Sequence, residues 1–159
     1  MLKFCSLFSG SSGNSLFVQS DQSKLLIDCG ASGKKICEAL ASINSSIEDI
    51  DAILITHEHS DHVQSLGLLS KKYNIPIYIN EETFNALSNS QKDKINLNDV
   101  NFFKNDNEFF LKDLTIKPFS IPHDAANPCG YNIHNGKRKI SIATDLGHVN
   151  DNILENLKN

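Results

Sequence analysis

The stretch ITHEHSDH, residues 55–62, places three histidines and two acidic residues within six positions, directly after the apolar run AIL. An apolar strand that stops abruptly at His57 delivers polar side chains to the carboxyl edge of a sheet, where the clefts of α/β proteins form. His57 and His59 are one residue apart and can project towards the same ion, while Asp61 and His62 follow from the next bend. Neutral imidazole and carboxylate suit zinc, manganese or iron. The plainer alternative is a solvated loop in which Ser60 or Asp61 caps the following helix. Spacing and strand-end context together favour metal, and H-x-H-x-D-H carries enough donors for two adjacent ions.

Such a site needs further ligands, and two other strands end in suitable ones. SIPHDAANPCGY runs into His123 beside Asp124, and ISIATDLGH runs into Asp145. Against these readings stand a surface role for His123 and a helix cap at Asp145. His148 is close enough to Asp145 in sequence to line the site, whereas His134 adjoins the turn residues NGK and is expected to face solvent. Asp28 ends another apolar strand, KLLIDCG. A carboxylate buried there needs hydrogen-bond partners, which backbone amides of the 57–62 loop can supply, so Asp28 is read as supporting the ligands from behind.

With 159 residues the chain is long enough for one domain with a real core and too short for two, so 1–159 is read as a single domain. A composition of 40% hydrophobic and 21% charged residues, with no low-complexity tract, excludes a disordered chain, and no apolar run approaches a membrane span. The N-terminal MLKFCSLFSG has a short apolar stretch broken by serines, without a convincing cleavage site. A buried strand is expected there rather than a signal peptide, and a cytoplasmic location with it. Cys5, Cys29, Cys37 and Cys129 show neither CxxC spacing nor scaffold density, so reduced thiols are expected. The net charge of −4 argues against a generally basic nucleic-acid surface, leaving local patches such as GKRK at 136–139.

Strands are expected at KFCSLFS, SLFVQS, KLLIDCG, AILITH, PIYIN, VNFFK, LTIKPFSI, GYNIH and KISIATD. Helices are expected at KKICEALASI and HVQSLGLLSKKY, with shorter ones around EETFNAL and DNILENLK. The first strands are joined by the turn signals GSSGNS and SDQS, as hairpins are, and the later mixture of strands and helices predicts an α/β architecture with helices covering the sheets.

Taken in order, Asp28, HEHSDH, His123 and Asp145 resemble the site of the metallo-β-lactamase superfamily. The resemblance implies an αββα sandwich with a one- or two-metal site along one edge. FSGSSGNS (8–15), LLIDCG, THEHSDHV, PHDAANPCGY and ATDLGHV together resemble its YycJ/WalJ-type group, which is associated with DNA exonuclease activity. By this resemblance His57, His59 and His123 hold a first ion, Asp61 and His62 a second, and Asp145 bridges them. The ions are two divalent metals, zinc or manganese. Ser11, Ser12 and Asn14 in SGSSGNS would lie near the substrate, although composition alone reads that stretch equally as a Gly/Ser turn.

Complete members of the superfamily carry a second αβ half and a later histidine that completes the second ion's ligand set. Neither follows Asp145 here, so the chain is expected to be the N-terminal half plus the start of the second, truncated at its C-terminus. An apolar face left uncovered would then drive self-association. The implied function is a metal-dependent hydrolase, a phosphodiesterase acting on DNA in exonuclease fashion, in which metal-bound water attacks the phosphorus. Asp61 would orient that nucleophile as well as ligate. Lys34, Lys35, Lys71, Lys72 and the KRK at 137–139 are candidate phosphate contacts, each also readable as ordinary solvated surface. The competing readings are a thioester or lactone hydrolase of the glyoxalase II kind and an inactive fragment.

Overall fold

In the computed structural model, which describes residues 1–158, the chain opens as an antiparallel meander of β1 (Lys3–Phe8), β2 (Ser15–Gln19) and β3 (Lys24–Ile27). Helix α1 (Gly33–Ser42) then leads to β4 (Ala52–Leu54), and α2 (Ser60–Val63) with α3 (Leu66–Tyr73) leads to β5 (Ile77–Asn80). After α4 (Glu81–Ala86) and α5 (Asn89–Lys92), β6 (Val100–Phe103) completes a six-stranded sheet in the order β1 to β6, parallel from β3 onward. The remaining strands, β7 (Phe109–Leu111), β8 (Leu114–Ser120), β9 (Cys129–His134) and β10 (Lys139–Ile142), form a second, antiparallel sheet in the order β10-β9-β8-β7. Helix α6 (Asp151–Leu157) follows it.

The layers follow from where the apolar residues fall. The runs LLI, AIL and IYI are apolar throughout because the first sheet is covered on both faces. Alternate residues take opposite sides: Leu26, Ile53 and Ile77 pack against Ile36 and Leu40 of α1 and Leu66 and Leu69 of α3. Leu25, Ile27 and Leu54 pack against Ile116, Tyr131 and Ile133 of the second sheet. On the outer face of that sheet, Asn132 Nδ2 donates to the Asn156 carbonyl of α6 at 3.0 Å, while Ile153 of the same helix is buried. The result is the expected αββα order.

Three readings need correction. The N-terminal strand is not buried: β1 is exposed or half-buried along its length because it is the edge strand of its sheet. The single helix read over HVQSLGLLSKKY is two, because Ser65 leaves the helical ladder to donate both its backbone N–H (3.0 Å) and its hydroxyl (3.2 Å) to the Cys29 carbonyl. Nor does Ser60 or Asp61 cap α2: His59 occupies that position, with no side-chain cap bond. The sequence reading also passed over β7 and α5, a three-residue strand and a single helical turn too short for a periodic signal. The four cysteines are free thiols, and no helix among the described residues is long and apolar enough to cross a membrane.

Candidate metal centre

Every sequence-selected acid and histidine of the metal set comes to one edge of the sandwich. β3, β4, β8 and β10 all run towards that edge, and beyond their ends lie Asp28, His57, His123 and Asp145 in turn. Two of these residues, Asp28 (φ 63°) and Asp145 (φ 53°), hold left-handed backbone, a conformation that aspartate tolerates better than most residues and that turns each chain sharply as its strand gives way.

Two groups of donors converge there. Ring nitrogens of His57, His59 and His123 form one group, while His57 and His62 with an Asp145 oxygen form the other; within each, the donor atoms lie within 4.8 Å of one another. His123 Nε2 is 3.3 Å from His59 Nδ1. Asp145 Oδ2 completes the second group, 2.9 Å from His62 Nε2 and 3.9 Å from His57 Nε2. Asp61 Oδ2 is 3.6 Å from His62 Nε2 on the same side.

The donor set fits divalent metal. His57 Nε2 is buried and has no hydrogen-bond partner among the described residues, a state that is costly for a polar atom unless something else meets it. Burial pushes the His57 imidazole down to about 3, helped by the neighbouring His62, His59 and His123, so the ring is neutral and its lone pair available. No cysteine belongs to either donor group among the described residues, and burial raises the Cys29 thiol well above its usual range and pushes Cys129 up to about 12.

The second histidine is oriented from behind. Asp28 is buried, and its Oδ2 lies 2.7 Å from His62 Nδ1. Its Oδ1 accepts from the Thr56 amide at 2.8 Å, and Oδ2 also accepts from the Thr56 hydroxyl at 2.7 Å. Burial raises the Asp28 carboxyl against the pull of His62 and Thr56. Burial alone would lower His62, but Asp28, Asp145 and Asp61 raise it. The Asp28 contact occupies Nδ1, which leaves His62 Nε2 facing Asp61 and Asp145. The expected partners of Asp28 are thereby revised: they are Thr56 and the His62 ring, rather than amides of the 57–62 loop.

The SGSSGNS turn packs directly on this loop. Asn14 N donates to the Asp61 carbonyl at 2.8 Å, and Asn14 Nδ2 lies 3.1 Å from both Asp61 Oδ2 and His62 Nε2. Ser11 and Ser12 are exposed and make no hydrogen bond among the described residues; His148 is likewise exposed. The site therefore gathers Asn14 but shows no contact for the other three. Sequence reasoning missed Thr56 and Gly30. A Cβ on Gly30 would lie 1.6 Å from the Asp61 carbonyl oxygen, a contact between residues 31 positions apart that no local motif announces.

Of the candidate phosphate contacts, the KRK stretch lies elsewhere. Lys139 begins β10 and Asp145 lies beyond its other end, so the length of the strand, about 10 Å at an extended rise, separates them. Lys139 Nζ is also engaged by the carbonyls of Asn156 and Lys158. Along the site edge, at the ends of β5 and β6, lies an open groove of about 720 Å³ lined by Phe102, Phe103, Asn105, Ser120 and Asn127 among others.

An αββα sandwich with histidines and aspartates gathered at one sheet edge defines a class, the metallo-hydrolase folds. The family model of the metallo-beta-lactamase superfamily matches residues 9–158, and the chain belongs to that superfamily. It is 41% identical over 157 residues to exodeoxyribonuclease YycJ of Bacillus anthracis, covering 94% of this chain and 56% of that protein. It is 40% identical over 158 residues to exodeoxyribonuclease WalJ of Streptococcus pneumoniae, covering 99% of this chain and 59% of that protein. Within the superfamily these similarities place it with the YycJ/WalJ-type group, while it spans less than two thirds of either relative. Among solved structures, the Rm3 metallo-beta-lactamase superposes with a TM-score of 0.67 at 21% identity, covering 87% of this chain and 56% of that one, which supports the fold.

Proposed function

We propose that this chain is the metal-holding part, as one domain, of a hydrolase that cleaves phosphodiester bonds in DNA. The observation that carries the reading is the pair of donor groups that share His57, the second of them completed by Asp145. His57, His59 and His123 would hold one divalent ion, zinc or manganese, and Asp61 with His62 a second, with Asp145 reaching both. Such ions supply Lewis acidity and an activated water for attack on phosphorus. The chain's own residues set up that chemistry. Asp28 holds His62 through Nδ1, Asn14 orients the Asp61 carboxylate, and Asp61 is the catalytic residue that aligns the attacking water. DNA as substrate rests on kinship with proteins named exodeoxyribonucleases. The groove beside the site offers phenylalanine faces and amides to a base, while Glu81, Glu82 and Glu108 in the same lining disfavour phosphates there.

The test sets single-stranded DNA and bis(p-nitrophenyl) phosphate against a glutathione thioester, with and without added zinc or manganese. The expected result is metal-dependent phosphodiester cleavage that Asp61→Asn reduces by at least about a hundredfold. Thioester cleavage without phosphodiester cleavage would move the chain to the glyoxalase II kind of reaction.

A cytoplasmic setting fits the four free thiols. Self-association is proposed through the corner where β1 and β10 end their sheets. Phe4 pairs in register with Val18, which faces the second sheet, yet Phe4 is 49% exposed, and β10 has one unpaired edge among the described residues.

A further inference from the structure

The two loops that supply the first histidine group are joined by a residue that belongs to neither donor group. Glu58 stands between His57 and His59, and its side chain crosses to the loop of residues 121–128, where Oε1 accepts from the Ala126 amide at 2.8 Å. Its other oxygen, Oε2, is buried with no partner among the described residues. Elsewhere this loop is attached away from the histidines. Gly147 N donates to the Pro122 carbonyl at 2.7 Å, and Asn127 is held by Asn80, Asn105 and Glu82 at the ends of β5, β6 and the start of α4. Between residues 122 and 127 the only other polar contact with the 57–62 loop, among the described residues, is that of His123 with His59.

We propose that Glu58 is a positioning residue: its hydrogen bond to Ala126 fixes His123 opposite His57 and His59, so that the first donor group is assembled before an ion arrives. This inference rests on the metal reading of the site. An isolated strand-end histidine on an unbraced loop would have to be ordered at the moment of binding, and that ordering would be subtracted from the affinity. A carboxylate accepting from a backbone amide is a strong brace, and one that a glutamine oxygen can replace in geometry.

The test compares the wild-type chain, Glu58→Gln and Glu58→Ala by two readouts. The first is amide hydrogen exchange of Ala126 in the metal-free protein. The expected result is protection in wild type and Glu58→Gln, with exchange about tenfold faster in Glu58→Ala. The second is zinc affinity by competition with a chromophoric chelator, expected to fall by about ten- to a hundredfold in Glu58→Ala and to stay within about threefold of wild type in Glu58→Gln. Unchanged exchange or unchanged affinity in Glu58→Ala overturns the assignment. So does a Glu58→Gln variant as weak as the alanine, since the charge and not the hydrogen bond would then matter. A wild-type chain that takes up no zinc instead removes the metal reading, while the exchange of Ala126 still decides whether Glu58 braces the loop.

Discussion

Asp28 shows how much of the site a single residue's context reveals. Its place after an apolar strand marked it as a buried acid, and the structure puts it beneath His62. Its partners were harder to read, because Thr56 looks like the tail of a strand and its hydroxyl gives no sign of turning inward. Gly30 was illegible for a different reason: it matters through the backbone of Asp61, which approaches only in the folded chain. The consequence is specific. Gly30→Ala must push the Asp61 carbonyl away, displacing the loop that carries Asp61 and His62, and should lower stability by about 3 kcal/mol and abolish metal uptake. Chemical denaturation with zinc titration checks both effects, and a variant with wild-type stability would show that the loop yields freely.

Among the elements, the strands that carry ligands were the legible ones, since β3, β4, β8 and β10 are apolar runs cut off by a polar residue. Their ends are held by ties across the sandwich that no periodicity reveals. Near the site, Tyr131 OH donates to the Ile55 carbonyl at 2.5 Å and Cys129 N to the Thr56 carbonyl at 3.0 Å, which fixes the backbone entering His57 from the second sheet. At the opposite end, Asp113 between β7 and β8 accepts from the hydroxyls of Ser20 (2.6 Å) and Ser23 (2.8 Å) in the turn between β2 and β3. Burial alone would raise the Asp113 carboxyl, but these hydroxyls hold it below its usual value. A carboxyl depressed in the folded state adds stability that is complete above the unfolded value of 3.8 and disappears as pH falls through the lower folded value. Asp113→Ala should therefore cost about 1 kcal/mol at pH 7, two hydrogen bonds to a carboxylate that solvent screens, and its difference from wild type should shrink below pH 4. Urea midpoints at both pH values test this, and a difference independent of pH would show that the carboxylate charge is not involved.

At the scale of the molecule, the order of layers could be read from the sequence because each sheet carries its own apolar signature, and kinship with a known superfamily supplied the rest. The location of the KRK stretch could not: its charge made it a candidate phosphate contact as well as ordinary solvated surface, and the direction of β10 puts it at the strand end away from Asp145. The second sheet covers Leu25, Ile27 and Leu54 of the first, and the exposed apolar side chains are scattered, Phe4 at one edge and Phe102 and Phe110 at the other among them. If the Phe4 corner drives association, sedimentation velocity should show the weight-average coefficient rising with concentration, and Phe4→Ser should flatten the rise. A concentration-independent monomer would rule the corner out as an interface.

The account as a whole depends on the histidine edge being a metal centre, and metal content per purified chain is its most direct measure. Elemental analysis should find about one or more zinc or manganese ions per wild-type chain, and almost none in His57→Ala, because His57 belongs to both donor groups. A wild-type chain without metal after supplementation, or a His57→Ala variant that retains the full complement, would contradict it.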